Sequence, residues 1–183
     1  MKRESELEEW LAAEAAQQAV MARGPGPGVA RPEQALALDG LAFMQAMLRG
    51  ELPSPPIAKT LDFQLVEVDR GRAVFQGRPG PAHLNPMGGV HGGWFATLLD
   101  SALGCAVHTM MPAGHGYTTA ELGINLVRAI TPATPRVRAI GEVLHCGRQL
   151  ATAQARLVGP DGKLYAHGTT TCLVFEIPSK SAP

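Results

Sequence analysis

One acidic residue, Asp100, stands inside the apolar run Trp94 to Val107, downstream of the pair Gly92 and Gly93, with His91 just before that pair and Asn85 opening the same loop. An ionised carboxylate within an apolar helix costs several kcal/mol unless hydrogen bonds or charges compensate it. Asp100 therefore needs a reason to be there. A helix N-terminus, in turn, offers unpaired N–H donors and a positive dipole end, which stabilise an oxyanion developing on a substrate carbonyl. Gly92 is the natural donor, and Asn85 and His91 can add an amide N–H or fix its orientation. Taken singly, each residue also has a plain reading: a capping or solvent-facing aspartate, a turn asparagine before Pro86, a turn histidine. The spacing is what joins them. Asp100 lies roughly 12 Å along the helix axis from Gly92 at 1.5 Å per residue, so one chain cannot easily aim both at one carbonyl. Two copies of the helix lying antiparallel across a dimer axis could, and the site would then be shared.

The elements that must hold these residues are legible in outline. Ser5 and Glu8 fit a capping box, and Leu7, Trp10, Leu11 and Ala15 lie on one side of the helix that follows. Alternating glycine and proline from Gly24 to Gly28 stop that helix and make it an appendage on a tether. The division expected is therefore an N-terminal extension and linker over 1–31 and a main domain over 32–183. A second helix is marked by Asp39 as N-cap, by Leu41, Met44, Met47 and Leu48 on one stripe, and by Gly50 at its stop. Leu52 to Pro56 predicts an extended connector. Phe63 to Gly77 reads as a hairpin turning at Asp69, Arg70 and Gly71. His83 to Gly93 reads as loop, and Trp94 to Val107 as a buried helix. Tyr117 to Arg128, Arg136 to His145, Gln149 to Val158 and Lys163 to Ile177 read as four strands, with a hairpin turn at Gly159 to Lys163. One apolar helix followed by strands predicts an α+β fold in which an antiparallel sheet wraps around that helix, with extra N-terminal helices. Small residues at Gly141, Ala151, Ala153 and Ala155 permit close approach of helix to sheet. Exposed sheet edges favour a dimer.

The chain has 183 residues and a formal net charge of +0, so nothing in its charge would gather nucleic acid or anionic lipid. Cys105, Cys146 and Cys172 lack zinc-like spacing and read as reduced, mostly buried thiols. No apolar stretch has the form of a secretory signal or a membrane span, which predicts a cytoplasmic protein. Neither a metal nor a cofactor is implied. His108, His115, His145 and His167 show no ligand spacing.

The stretch Asn85 to Ala102, NPMGGVHGGWFATLLDSA, resembles the signature of the PaaI-type acyl-CoA thioesterases of the hotdog superfamily: an asparagine, a His-Gly-Gly that starts the central helix, then an acidic residue within it. The likeness extends over about Leu36 to Phe175. It implies a hotdog fold and hydrolysis of an acyl-CoA, aryl or medium-chain, to the free acid and coenzyme A. On the matching positions it implies Asp100 as nucleophile or general base, and Gly92 N–H with Asn85 as the groups that polarise the carbonyl. His91 would hold Asn85 in place, and Thr119, contributed with Asp100 by the facing subunit, would orient the attacking water. Gly93, Arg128, Arg138 and Arg148 are candidate substrate contacts, the arginines for coenzyme A phosphates. The implied assembly is a homodimer as minimal unit and a homotetramer beyond it. Rival readings on the same fold are an enoyl-CoA hydratase or dehydratase using His91 and Asp100, and a non-catalytic acyl-CoA-binding protein.

Overall fold

A computed structural model describes residues 2–178. Among the described residues five α-helices, α1 (Lys2–Met21), α2 (Pro32–Ala37), α3 (Gly40–Leu48), α4 (Pro56–Thr60) and α5 (Gly92–His108), accompany six strands. The strands are β1 (Phe63–Asp69), β2 (Arg72–Gly77), β3 (His115–Leu126), β4 (Val137–Cys146), β5 (Leu150–Val158) and β6 (Leu164–Glu176). They form one antiparallel sheet in the order β1-β2-β4-β5-β6-β3. The sheet leaves β1 and β3 as its two edges.

The core lies between this sheet and α5, where Trp94, Phe95, Leu98, Leu99, Ala102, Leu103, Ala106 and Val107 are all buried. Helix and sheet meet closely because the facing strand positions are small. A methyl group on Gly141 would land in the Ala102 carbonyl, and Ala139, Ala151 and Ala153 fill the same inner face with no exposed area. Tyr117 closes on the helix at Gly104, again where there is no side chain. The small-residue pattern expected from sequence thus has its physical use, which is to let a long apolar helix sit low on the sheet.

Two expectations are corrected. Leu52 to Pro56 does not run on as a wholly extended connector, because Pro55 and Pro56 occupy the N-cap and first position of the short helix α4, where a fixed φ and a missing N–H cost nothing. More consequentially, α1 is no appendage. On β2, Ala73 and Phe75 face α5, so Val74 and Gln76 point to the opposite, outer face of the sheet. Both are nonetheless buried, at 1% and 2% exposure, because α1 covers them. Gln76 Nε2 donates to the Trp10 carbonyl at 3.1 Å and to Glu14 Oε2 at 2.6 Å, Arg136 pairs with Glu14, and Gln17 Nε2 donates to the Leu48 carbonyl at 2.7 Å. The Gly/Pro segment is itself fastened, with Gly28 N–H bonded to the Ser54 carbonyl and Ser54 N–H to that of Gly26. A boundary drawn at residue 31 therefore runs through a packed interface.

This docking predicts a measurable stability term. Trp10 is 6% exposed and lies under the Arg138 guanidinium, 4.5 Å from its ring centre. Trp10→Ala should lower the unfolding free energy by about 3 kcal/mol, the ordinary cost of truncating a buried tryptophan. Urea unfolding at unchanged m-value measures it. A loss below about 0.5 kcal/mol, the scale of an unremarkable surface change, would show α1 to be dispensable to the fold.

Candidate active site

The loop before α5 is held rigidly by its own side chains. Asn85 Oδ1 accepts from the backbone N–H of Met87 at 2.9 Å and of Gly89 at 3.1 Å. Its carboxamide is oriented by those two donors, and its Nδ2 has no acceptor among the described residues. His91 is the N-cap of α5: Nδ1 accepts from Gly93 N–H at 2.9 Å, and the His91 N–H is bonded to the carbonyl of His83. No hydrogen bond joins His91 to Asn85 among the described residues; the histidine caps the helix, and the turn orients the asparagine. Gly93, a candidate substrate contact, has its N–H occupied by this cap. Gly92 is different. As the first residue of α5 its N–H has no intrahelical acceptor, and no other backbone or side-chain group among the described residues takes it.

His83 carries no signal in the sequence, yet it braces this corner. It is 7% exposed, accepts from Gly80 N–H through Nδ1 and stacks on Trp94 at 5.5 Å, while Trp94 Nε1 donates to the Leu61 carbonyl at 2.8 Å. The start of α5 is thus fixed on three sides. A histidine between alanine and leucine has no spacing that would mark such a role.

Asp100 lies half-buried on α5, and its one side-chain hydrogen-bond partner among the described residues is Thr119, whose Oγ1 donates to Oδ1 at 3.4 Å. Asp100 and Thr119 therefore meet within one chain. Burial raises the Asp100 carboxyl above the usual aspartate range, and the Thr119 bond offsets part of that rise. Behind it the Cys105 thiol is pushed up to about 12 and the Tyr117 phenol is also driven upward, both by burial first. The carboxylate thus sits over protonated groups, and among the described residues no cation pairs with it.

Because the folded carboxyl holds its proton more tightly than the unfolded one, its ionisation works against folding. The stability tied to the protonated form is complete at pH below the unfolded value and is lost as pH rises through the raised folded value. Asp100→Asn should therefore melt no lower than the wild-type chain at neutral pH. Its advantage should vanish in acid, below the ordinary aspartate range. Thermal melts across pH test this; a variant that melts lower at neutral pH would show that the carboxylate stabilises the fold.

The arginines part company. Arg138 stands on the outer face of β4, since its neighbours Val137 and Ala139 point inward. It is engaged there with Glu67 Oε1 at 2.8 Å, Gln76 Oε1 at 2.9 Å and the Trp10 ring. As a coenzyme contact it is corrected: its guanidinium is committed beneath α1. Arg148 lines an open recess with Arg70, His115 and Met110 by the C-terminal end of α5. Arg128 is exposed just after β3, held by its backbone to the Tyr165 carbonyl. Among the described residues no three His, Cys, Asp or Glu side chains gather in a metal-binding cluster, and no helix is long and apolar enough to cross a membrane.

An antiparallel sheet curled round one buried helix is the hotdog architecture, and known proteins place the chain among the thioesterases that use it. Residues 87–166 match the model of the thioesterase superfamily. A putative thioesterase of Ralstonia eutropha JMP134, described as phenylacetic acid degradation-related, is 30% identical, with 70% of this chain and 97% of that chain covered at a TM-score of 0.64. A mutant of the phenylacetic acid degradation protein PaaI from Thermus thermophilus is 28% identical, with 64% and 97% covered at a TM-score of 0.59. No functionally curated protein matches the chain. The chain belongs to the PaaI-type thioesterases of the hotdog superfamily.

Proposed function

We propose that the chain hydrolyses an acyl-CoA thioester, with an aryl or medium-length acyl group, to the free acid and coenzyme A in sites shared between two copies. The observation that carries this reading is a pair of unsatisfied groups on one helix. Asp100 has a raised proton affinity and a single threonine partner, while the Gly92 N–H has no partner among the described residues. They are about 12 Å apart along α5. The edge strand β3, exposed over most of its length and carrying Leu126 at 52% exposure, is a bare edge of the kind that a second copy covers by pairing. Antiparallel placement of two α5 helices beside such a junction would bring Asp100 and Thr119 of one copy to Asn85 and Gly92 of the other.

In this site the thioester carbonyl oxygen accepts from Gly92 N–H and Asn85 Nδ2. Asp100 then deprotonates a water held by the Thr119 hydroxyl, or attacks the carbonyl carbon itself to give a mixed anhydride that water later opens. By either route the C–S bond breaks, the thiolate leaves with a proton taken up from the site or solvent, and Asp100 returns as carboxylate. The recess lined by Arg148 and Arg70 begins at Met110, just past the end of α5, whose last residue lies roughly 12 Å from Asp100 along the axis at 1.5 Å per residue. That is the scale of an extended pantetheine arm, which would set the coenzyme phosphates among these cations. Arg128, close to the start of α5, is the second candidate. Hydration of an enoyl-CoA would need a histidine to move protons, and His91 has its Nδ1 engaged in capping α5.

A panel of acyl-CoA thioesters read with a thiol-trapping reagent tests the reaction, and sedimentation tests the assembly, a homodimer at least and a homotetramer in full. In this reading the carboxylate and the helix N-terminus supply the base and the electrophile, so the proposed reaction needs no metal, and the proposed compartment is the cytoplasm. Absence of thiol release across aryl and short- to medium-chain acyl groups would defeat the reading.

A further inference from the structure

Strand β3 has to place two sets of side chains on the same face with a spacing that regular alternation forbids. Tyr117 and Ile124 both pack against the core around α5, yet they are seven residues apart, and an odd spacing puts two residues of a regular strand on opposite faces. The conflict is resolved at Ala120. Thr119 is opposite Cys172 and Glu121 is opposite Thr171, so Ala120 has no partner on β6. This is a one-residue bulge, and it inverts the alternation. Before it Tyr117 and Thr119 face the helix; after it Leu122, Ile124 and Leu126 do. Leu126 in turn abuts the start of α5, where a Cβ on Gly92 would lie 3.0 Å from its Cδ1. Without the bulge, either Thr119 leaves Asp100 or Ile124 and Leu126 leave the helix.

A bulge interrupts the ladder, and the carbonyl of Glu121, next to the extra residue, accepts a hydrogen bond from a side chain of β6: Thr170 Oγ1 donates to it at 2.7 Å. Thr170 is 2% exposed and lies on the same face of β6 as Cys172, 3.8 Å from its sulfur. Cys172 is the cross-strand partner of Thr119. The buried side is that of Thr170, and an apolar side chain of the same shape there would remove the one side-chain hydrogen bond that ties β6 to the bulge.

We infer that Thr170 is a positioning residue of the proposed thioesterase site: its hydroxyl pins the Ala120 bulge and thereby keeps Thr119 on the face where it meets Asp100. The role rests on the assignment of Asp100 and Thr119 made above. It acts at one remove, since Thr170 touches neither Asp100 nor a substrate.

The test is a double-mutant cycle with an independent physical readout. Thr170→Val should lower kcat on the order of tenfold, the scale of one mispositioned hydrogen bond to a charged group, with KM changed less than about twofold. Thr170→Ser should restore it. In a Thr119→Val background, Thr170→Val should cost no further activity, because the two residues act through one contact. Losses that multiply in the double variant, or wild-type kcat in Thr170→Val, would overturn the inference. Carbon-detected NMR titration of the Asp100 carboxyl supplies a readout that needs no turnover: Thr119→Val and Thr170→Val should raise its midpoint alike. If only Thr119→Val does so, Thr170 has no positioning role. If the wild-type chain turns over no thioester, the proposed function falls, and the titration still decides whether Thr170 sets the Thr119 contact.

Discussion

Asp100→Asn should lower kcat about 10³-fold or more, within the range lost when a general base or nucleophile is removed, with KM for acyl-CoA changed less than about threefold. The substitution is isosteric. The asparagine carbonyl still accepts from Thr119, so the contact at 3.4 Å can persist, and the half-buried position no longer holds a charge that burial disfavours. What is lost is basicity and nucleophilicity. A folded, substrate-binding, nearly inert protein is the expected outcome, which separates chemistry from stability: the variant is at least as stable at neutral pH and far slower. Turnover of the wild-type chain in heavy-oxygen water, followed by mass analysis of the peptide holding Asp100, distinguishes the routes. Label in the carboxylate marks the anhydride, and none marks activated water. Retention of wild-type kcat by Asp100→Asn would remove Asp100 from the reaction.

The proton affinity of Asp100 also fixes the acid limb of the activity. The group works as the carboxylate, and burial raises its pKa, so the limb should lie above the ordinary aspartate range. Covering the site with a second copy desolvates it further and moves the limb the same way.

Strand alternation and the apolar run of α5 were readable from residue types, and the strand ends agree to within about two residues, the usual uncertainty of such boundaries. The features that were not readable each depend on contacts between distant parts of the chain. The side of α1 that turns inward is Leu7, Trp10, Glu14, Gln17 and Met21, while Leu11 and Ala15 face solvent. Two of the inward five are polar, matched by Arg136, Gln76 and the Leu48 carbonyl. A search for an apolar stripe therefore catches Leu7 and Trp10, swings to Leu11 and Ala15 where the inward side continues through Glu14 and Gln17, and misses the docking. Helix α2, six residues long, and α4, five, carry no periodic signal. Within the site, the residue types near α5 were legible because their chemistry is unusual for their surroundings. The division of labour between Asn85 and His91 was not, since it depends on which backbone N–H each side chain reaches. The bulge at Ala120 was hidden for a related reason. Alternation on either side of it is regular, and the inversion between them has no mark in the residue types.

Gly92→Pro should be the second most damaging change, lowering kcat by about 10²-fold or more, the loss associated with one oxyanion-hole donor. It is an unusually clean deletion. Gly92 is the first residue of α5, a position where proline is favoured because its fixed φ suits a helix start and the missing N–H has no intrahelical acceptor. His91 before it has φ −64° and ψ 137°, an extended conformation that a following proline requires. A Cβ at this position would lie 3.0 Å from Leu126 Cδ1, so that leucine must give slightly, and the ring Cδ takes the place of the lost hydrogen. Circular dichroism and melting should therefore change little while the N–H is gone. Gly92→Ala, which keeps the donor, serves as the steric control and should retain most of the activity. The same variant tests whether the site is shared. When Gly92→Pro and Asp100→Asn chains are refolded together, half of the dimers should be mixed by random pairing of equal amounts. Each mixed dimer would hold one site with both lesions and one with neither, so activity should recover to about a quarter of wild type. Recovery would require that Asp100 and the Gly92 N–H of one site come from different copies. A mixture of mixed dimers, verified by mass, that stays as inactive as its parents would place both groups of each site in one chain, and the roughly 12 Å between them along α5 would then leave no common carbonyl for them to act on.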